Sequence, residues 1–224
     1  MHAPTFPQNM EDRMRSALRF AADRFDWQPA WVVLTELFIG LGWLRAVAEK
    51  LIDQRWWRGE VLEHFVEDHA GTTLGWYGPF LDIVVLPFAP VIAAVVVLGQ
   101  LVAGVSLVTG RRLTVGLAVG MFLNLHFMAA GAVTPSAFYL LGQGALVLWL
   151  SEQTVSGARI QALRIAAAVG AFVVGLNIPF ISTLHPAEVI EDPAVMFSFA
   201  GALAALTCLL AAGNHGAHPA HHQS

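Results

Sequence analysis

Charge is scarce in this chain. Of its 224 residues, 12% are Asp, Glu, Lys or Arg and 56% are hydrophobic, whereas soluble domains are about one quarter charged. So little charge cannot cover the surface of a water-soluble core of this size. Disorder, collagen, coiled coil and a small disulfide scaffold are excluded on the same grounds. Cysteine is almost missing too. Cys208 stands alone, which rules out an internal disulfide, a CxxC redox pair and a cysteine-rich metal site. No basic stripe offsets the net charge of −4, so nucleic acid is not an expected partner. The P-loop, the dinucleotide fingerprint and the nucleophile elbow are all absent. A detachable signal peptide is not expected either. Residues 1–30 carry Glu11, Asp12, Arg13, Arg15, Arg19, Asp23, Arg24 and Asp26 with no apolar run between them.

What the chain does have is long uncharged runs between clumps of charge, with a mean hydropathy of +0.61. About 20 apolar residues cross a hydrocarbon core. The runs predict six spans. The first covers Trp31–Leu44, reaching toward Val47 and broken only by Glu36, and the second covers Ile83–Gly110. Two short spans fit within Leu113–Ser151, split at Thr134-Pro135-Ser136, and the last two are Ile165–Thr183 and Ala194–Ala212. Pro79–Pro90 can alternatively form a separate re-entrant or interfacial piece, and the last two spans a hairpin. Met10, Met14, Leu18, Ala21 and Phe25 recur at helical spacing, which predicts an interfacial amphipathic helix. Trp56-Trp57, Val61, Leu62, Phe65 and Val66 predict a second.

Four stretches carry a family resemblance. They are Gly40-Leu41-Gly42-Trp43-Leu44-Arg45, with Lys50 and Trp56-Trp57 beyond it; Phe80-Leu81-Asp82-Ile83-Val84-Val85-Leu86-Pro87; the run Leu98–Leu107 followed by Gly110-Arg111-Arg112; and Met121–Phe127. In this order and spacing, Gly40 to about Trp149 resembles the DoxX/DoxD family of small membrane proteins. The resemblance implies a four-helix membrane bundle. It further implies a membrane subunit like that of a thiosulfate:quinone oxidoreductase, with quinone as cofactor and a partner protein as electron source. Where that family commonly has a glutamate, this chain has Gln100. Residues 151–224 lie outside the resemblance.

The expected fold is therefore all-α integral membrane. It comprises an amphipathic interfacial segment (1–29), a DoxX-like four-helix domain (30–150), a two-helix membrane extension (151–212) and a His-rich flexible tail (213–224). The expected function is a DoxX/DoxD-type subunit supporting quinone-linked redox chemistry. The alternative is an assembly subunit of a larger membrane complex, without chemistry of its own. Six spans also suit a transporter, but Asn177-Ile178-Pro179 has no broken-helix counterpart in the first half.

Polar groups inside the spans are the candidate site residues, because an ionisable group at mid-membrane is costly and seeks a partner. Glu36 lies on the stripe Glu36–Gly40–Trp43–Val47–Lys50. It is either a proton acceptor near a quinone headgroup or a hydrogen-bonded packing residue. Arg45, Lys50, Trp76, Tyr77 and Asp82 form a candidate quinone- or lipid-headgroup site at the outer interface. The acid can neutralise Arg45 or Lys50, and Arg45 can also pair with Glu49 four residues on. Asn124 is expected to bond across helices with Gln100 or Gln143. His126 can protonate a quinone, ligate haem or be a satisfied core histidine. No other span offers a second histidine for a haem, so no haem, flavin or metal is expected. His215, His218, His221 and His222 read as a solvated tail.

Arginines set the orientation. The N-terminal segment, the Arg111-Arg112 loop and the Arg159 region are basic, while the loops after spans three and five have no Lys or Arg; the exception is Glu49–Pro79, expected outside, which holds Lys50, Arg55 and Arg58 beside six acids. By the positive-inside rule both ends lie in the cytoplasm of a cell whose inner or plasma membrane holds the chain. In a Cys208-free variant, a cysteine placed at position 159 should label only from the cytoplasmic side, and one placed between Glu49 and Pro79 only from outside. Labelling of position 159 from outside alone would overturn the topology.

Overall fold

A computed structural model describes residues 24–153, 156–186 and 188–216, and among these every regular element is helical. Helix α1 (Ala30–Ile52) is followed by the short helices α2 (Gln54–Trp57) and α3 (Glu60–Asp68). A single turn, Gly78–Phe80, runs into a π-helical turn, Leu81–Val85. Then come α4 (Ala89–Thr109), α5 (Leu113–Ala129), α6 (Val133–Glu152), α7 (Ser156–Asn177) and α8 (Pro193–Gly216). Five of these, α1, α4, α6, α7 and α8, are long and apolar enough to cross a membrane, while α5 is apolar but has only 17 residues. The chain is a multi-pass, all-α membrane protein.

The boundaries differ from the hydropathy reading in three places. The second span begins at Ala89, not Ile83. Pro87 lacks the N–H needed to continue a helix, and the chain before it winds as the separate π-turn. The break before α6 falls at residues 130–132, where Gly131 takes the left-handed φ of 108°; Pro135 sits in the first turn of α6, where proline is tolerated. Arg159 and Arg164 lie inside α7 instead of in the loop before it. Met10, Met14, Leu18 and Ala21 of the expected N-terminal helix lie outside the described residues, as do His218, His221 and His222.

Helix α1 packs on α4 and α6, α4 on α5, and α5 on α6, which closes a four-helix ring. Helices α7 and α8 pack chiefly on each other, with α8 leaning on α6 and α5. The core of the ring is apolar, with Ile39, Trp43, Ala93, Ala103, Leu107, Leu117 and Leu146 all buried. The outside is apolar as well: Leu34, Leu98 and Leu141 are 62% exposed and Phe172 69%. Lipid is the solvent that such a surface requires. The second amphipathic piece lies against the ring. Trp56 donates its indole N–H to the Ala93 carbonyl at 3.1 Å, and Leu62 and Val66 are buried while Glu63 and Glu67 face outward.

Lipid tails are as apolar as leucine, so hydrophobicity does not drive helices together here; close packing does. A Cβ on Gly40 would lie 2.8 Å from Val108 Cγ2 and 3.0 Å from the Val108 amide nitrogen. The α7–α8 hairpin is tighter still. A Cβ on Gly170 would lie 2.5 Å from the Gly201 carbonyl oxygen, and one on Gly201 would lie 2.7 Å from the Gly170 oxygen. Asp192 fixes the start of α8. Its Oδ1 accepts from the Ala194 and Val195 amides at 2.8 and 3.2 Å, and its Oδ2 from the Ser182 amide and hydroxyl at 2.8 and 2.7 Å. Burial opposes its charge, but the hydrogen bonds from Ser182, Val195 and Thr183 outweigh it and hold the carboxyl below its ordinary range.

Gly170→Ala should therefore force the hairpin apart and cost about 1–3 kcal/mol. Gly175→Ala, in the same helix but with nothing within 4 Å of its added Cβ, should be neutral or gain about 0.5–1 kcal/mol. Unfolding of the purified protein in detergent or nanodiscs separates the two.

Candidate functional site

The polar groups of the ring gather at three depths. At the end where α1 begins and α4 finishes, Glu36 is fully buried and forms an ion pair with Arg24. Gln28 Nε2 adds a longer contact of 3.5 Å to the other carboxylate oxygen. Arg24 also donates through Nη1 to the Val108 carbonyl at 2.6 Å. It thus satisfies a helix-end carbonyl of α4 and places positive charge at the negative pole of that helix. The chain can fold back this way because residues 24–27 form a separate helical turn, ended by Pro29 ahead of α1. Both oxygens of Glu36 are occupied by protein, which supports its packing role. Arg24 as the partner was not legible from spacing: four arginines precede the first span, and only the turn at Gln28-Pro29 selects one.

At mid-depth, Asn124 donates to Gln143 Oε1 at 3.0 Å across α5 and α6. This is the second of the two partners expected for it, and the expected bond between Gln100 and Asn124, across α4 and α5, is not the one formed. Gln100 is also buried, yet among the described residues its Oε1 has no partner. The short 130–132 turn makes α5 and α6 antiparallel neighbours and so brings positions 124 and 143 face to face. Such a bond contributes about 0.6 kcal/mol in a membrane.

At the far end, the Tyr77 hydroxyl and His126 Nδ1 are hydrogen-bonded at 2.6 Å. Tyr77 comes from the loop before the π-turn and His126 from the last turn of α5. Aromatic rings enclose the pair: Phe122 lies 4.2 Å from the imidazole centroid, Phe80 lies 5.9 Å from it, and Phe80 lies 5.1 Å from Tyr77. Tyr77 is buried and His126 half-buried, while Phe122 is 59% exposed on the lipid-facing side. Burial pushes the Tyr77 hydroxyl above its ordinary pKa, so it keeps its proton and can donate it. Trp76 stands edge-on to Tyr77 and donates to Asn177 Oδ1 at 3.3 Å, which ties this loop to the end of α7.

The five residues expected to share one outer site are not all brought together. Arg45 pairs with Glu49 at 2.6 Å, both exposed. Lys50 lies 4.7 Å over the Trp56 ring, in a recess of about 200 Å³ lined by Glu49, Asp53, Trp56 and Val61. Asp82 is exposed on the π-turn, and no ion pair joins it to Arg45 or Lys50. Trp76 and Tyr77 remain together, but with Asn177 and His126. The sequence could not show that Tyr77 meets His126, 49 positions away, because the meeting depends on how the loop closes over the end of α5. A further cleft of about 270 Å³ lies between the 71–75 loop and residues Phe180–Pro193, lined by Glu188, Glu191 and the fully engaged Asp192.

Comparisons with protein-family models, with curated proteins and with solved structures return no match to this chain.

The ion pair generates a clear expectation. Arg24→Ala leaves Glu36 buried without a cation and should cost about 3–5 kcal/mol of stability. Replacing both, Arg24→Leu with Glu36→Leu, should restore most of that loss. Equal losses in the single and double variants, measured by thermal unfolding, would show that the pair is not what holds this end.

Proposed function

We propose that this chain is a DoxX/DoxD-type membrane subunit supporting quinone-linked redox chemistry in a cell membrane, with electrons supplied by a partner protein. The observation that carries this reading is the Tyr77–His126 hydrogen bond within a ring of Phe80, Phe122 and Trp76. A quinone is an apolar ring with two carbonyl oxygens. It needs an apolar, lipid-accessible cleft and a few placed donors. Exposed Phe122 and Phe80 offer the ring a lateral approach from the bilayer. With Tyr77 donating to Nδ1, the imidazole carries its proton on Nε2, and that N–H is the donor for a carbonyl oxygen. Reduction of a quinone takes two electrons and two protons. In this reading the partner protein supplies the electrons, His126 is the group that touches the carbonyl, and Tyr77 positions it.

A titration tests the assignment. Menadione or a short-chain ubiquinone, added to the purified protein in nanodiscs, should quench tryptophan fluorescence saturably. His126→Ala should weaken binding about tenfold and Tyr77→Phe about threefold, the worth of one hydrogen bond each. Arg45→Ala, whose side chain pairs with Glu49 at the surface, should leave it unchanged. Unaltered binding in His126→Ala would sink the site.

The second reading, an assembly subunit without chemistry, draws on the α7–α8 hairpin. Val169, Phe172, Leu206 and Leu210 on it are 56–69% exposed, a surface available to a neighbouring subunit as well as to lipid. Saturable quinone binding favours the first reading; a stable complex that binds no quinone favours the second.

A further inference from the structure

The middle of the four-helix ring holds polar atoms that no group among the described residues satisfies. Among the described residues, the Trp43 indole N–H on α1, the Gln143 Nε2 amide on α6 and the Gln100 Oε1 on α4 have no hydrogen-bond partner, although all three residues are at least 97% buried. Membrane interiors do not tolerate this easily, since an unmade hydrogen bond there has no solvent to fall back on. The two donors converge. A Cβ built on Gly120 would lie 2.3 Å from Gln143 Nε2 and 3.3 Å from Trp43 Nε1, so both nitrogens pack against the bare backbone of Gly120, on the same face of α5. The acceptor lies at the same depth. Gly99 of α4 faces Leu123, and Gly120 faces Ala103, which sets Gln100 opposite the Gly120–Asn124 turn of α5.

We infer that this point is a closed binding site for a small, neutral molecule that accepts two hydrogen bonds and donates at least one, namely an ordered water. Neutrality follows from the surroundings. The nearest buried charges are Arg24 and Glu36, and they are already paired with each other at the end of the ring. Ile39, Leu107 and Leu117, each no more than 2% exposed, belong to the same apolar core as Trp43. A water oxygen accepts from Trp43 and Gln143, and one of its hydrogens goes to Gln100; buried waters typically make about three such bonds. The molecule then links α1, α4 and α6, while the Asn124–Gln143 bond brings in α5. All four helices of the ring are joined at one polar point in an otherwise apolar core.

The sign of one substitution tests this. If Gln100 Oε1 were merely a desolvated acceptor, Gln100→Leu would remove a penalty and raise the unfolding midpoint. If it holds the shared molecule, Gln100→Leu should lower the midpoint by roughly 2–4 °C, the shift expected for one lost interaction in a chain of this length. Trp43→Phe should then cost fewer degrees in the Gln100→Leu background than in the native chain. Its packing loss is common to both backgrounds, so the difference reads only the coupling. An experimental density map of the full chain in nanodiscs should show one ordered molecule within about 3 Å of the indole nitrogen and both amides. A raised midpoint, equal costs in the two backgrounds, or a map in which the Gln143 amide is turned so that its oxygen meets Trp43 with nothing between would each overturn the proposal.

Discussion

Hydrocarbon offers no hydrogen-bond partner, and most of this structure follows from that fact. Backbone groups must be satisfied within each span, so the spans are helices. Apolar side chains gain nothing by leaving lipid for protein, so they cover the outside as readily as the inside. Contact between helices then rests on small residues. Gly40 brings α1 against the backbone of α4, and Gly170 and Gly201 bring α7 and α8 into backbone contact. The few polar side chains within the ring must find one another. Glu36 reaches back to Arg24, and Asn124 reaches across to Gln143.

These polar pairings divide the labour by depth. Helices α1 and α4 run antiparallel, as do α4 and α5, because Gly40 meets Val108 and Gly99 meets Leu123. Glu36 near the start of α1 and His126 near the end of α5 therefore sit at opposite ends of the ring. The Arg24–Glu36 pair closes one end, neutralises a buried acid and caps α4. The Tyr77–His126 pair occupies the other end, where aromatic rings face lipid and a loop supplies the tyrosine. The latter borders the exposed Phe122 ring, which makes it the better candidate for chemistry.

The loops decide how open that second end is. Trp56 is anchored on the Ala93 carbonyl, and Trp76 is anchored on Asn177 at the end of α7. The α7–α8 hairpin is thus more than an appendage to the ring, since it supplies Asn177 to hold the loop that carries Tyr77.

Membrane class and helix order were legible in the sequence alone, because charge is costly in hydrocarbon and the gaps between charge clumps mark the helices. The polar residues that matter, Glu36, Gln100, Asn124, His126 and Gln143, were also visible there, since each is conspicuous within an apolar run. Their partners were not. Arg24 could not be chosen from the four arginines before the first span. Asn124 could have met Gln100 as well as Gln143. Tyr77 looked like a neighbour of Asp82 and instead turned toward His126. Helical periodicity fixes which face a residue occupies, but the rotation of each helix about its axis and the path of each loop set which faces meet. Those are properties of the packed bundle, and only the tertiary structure could decide them.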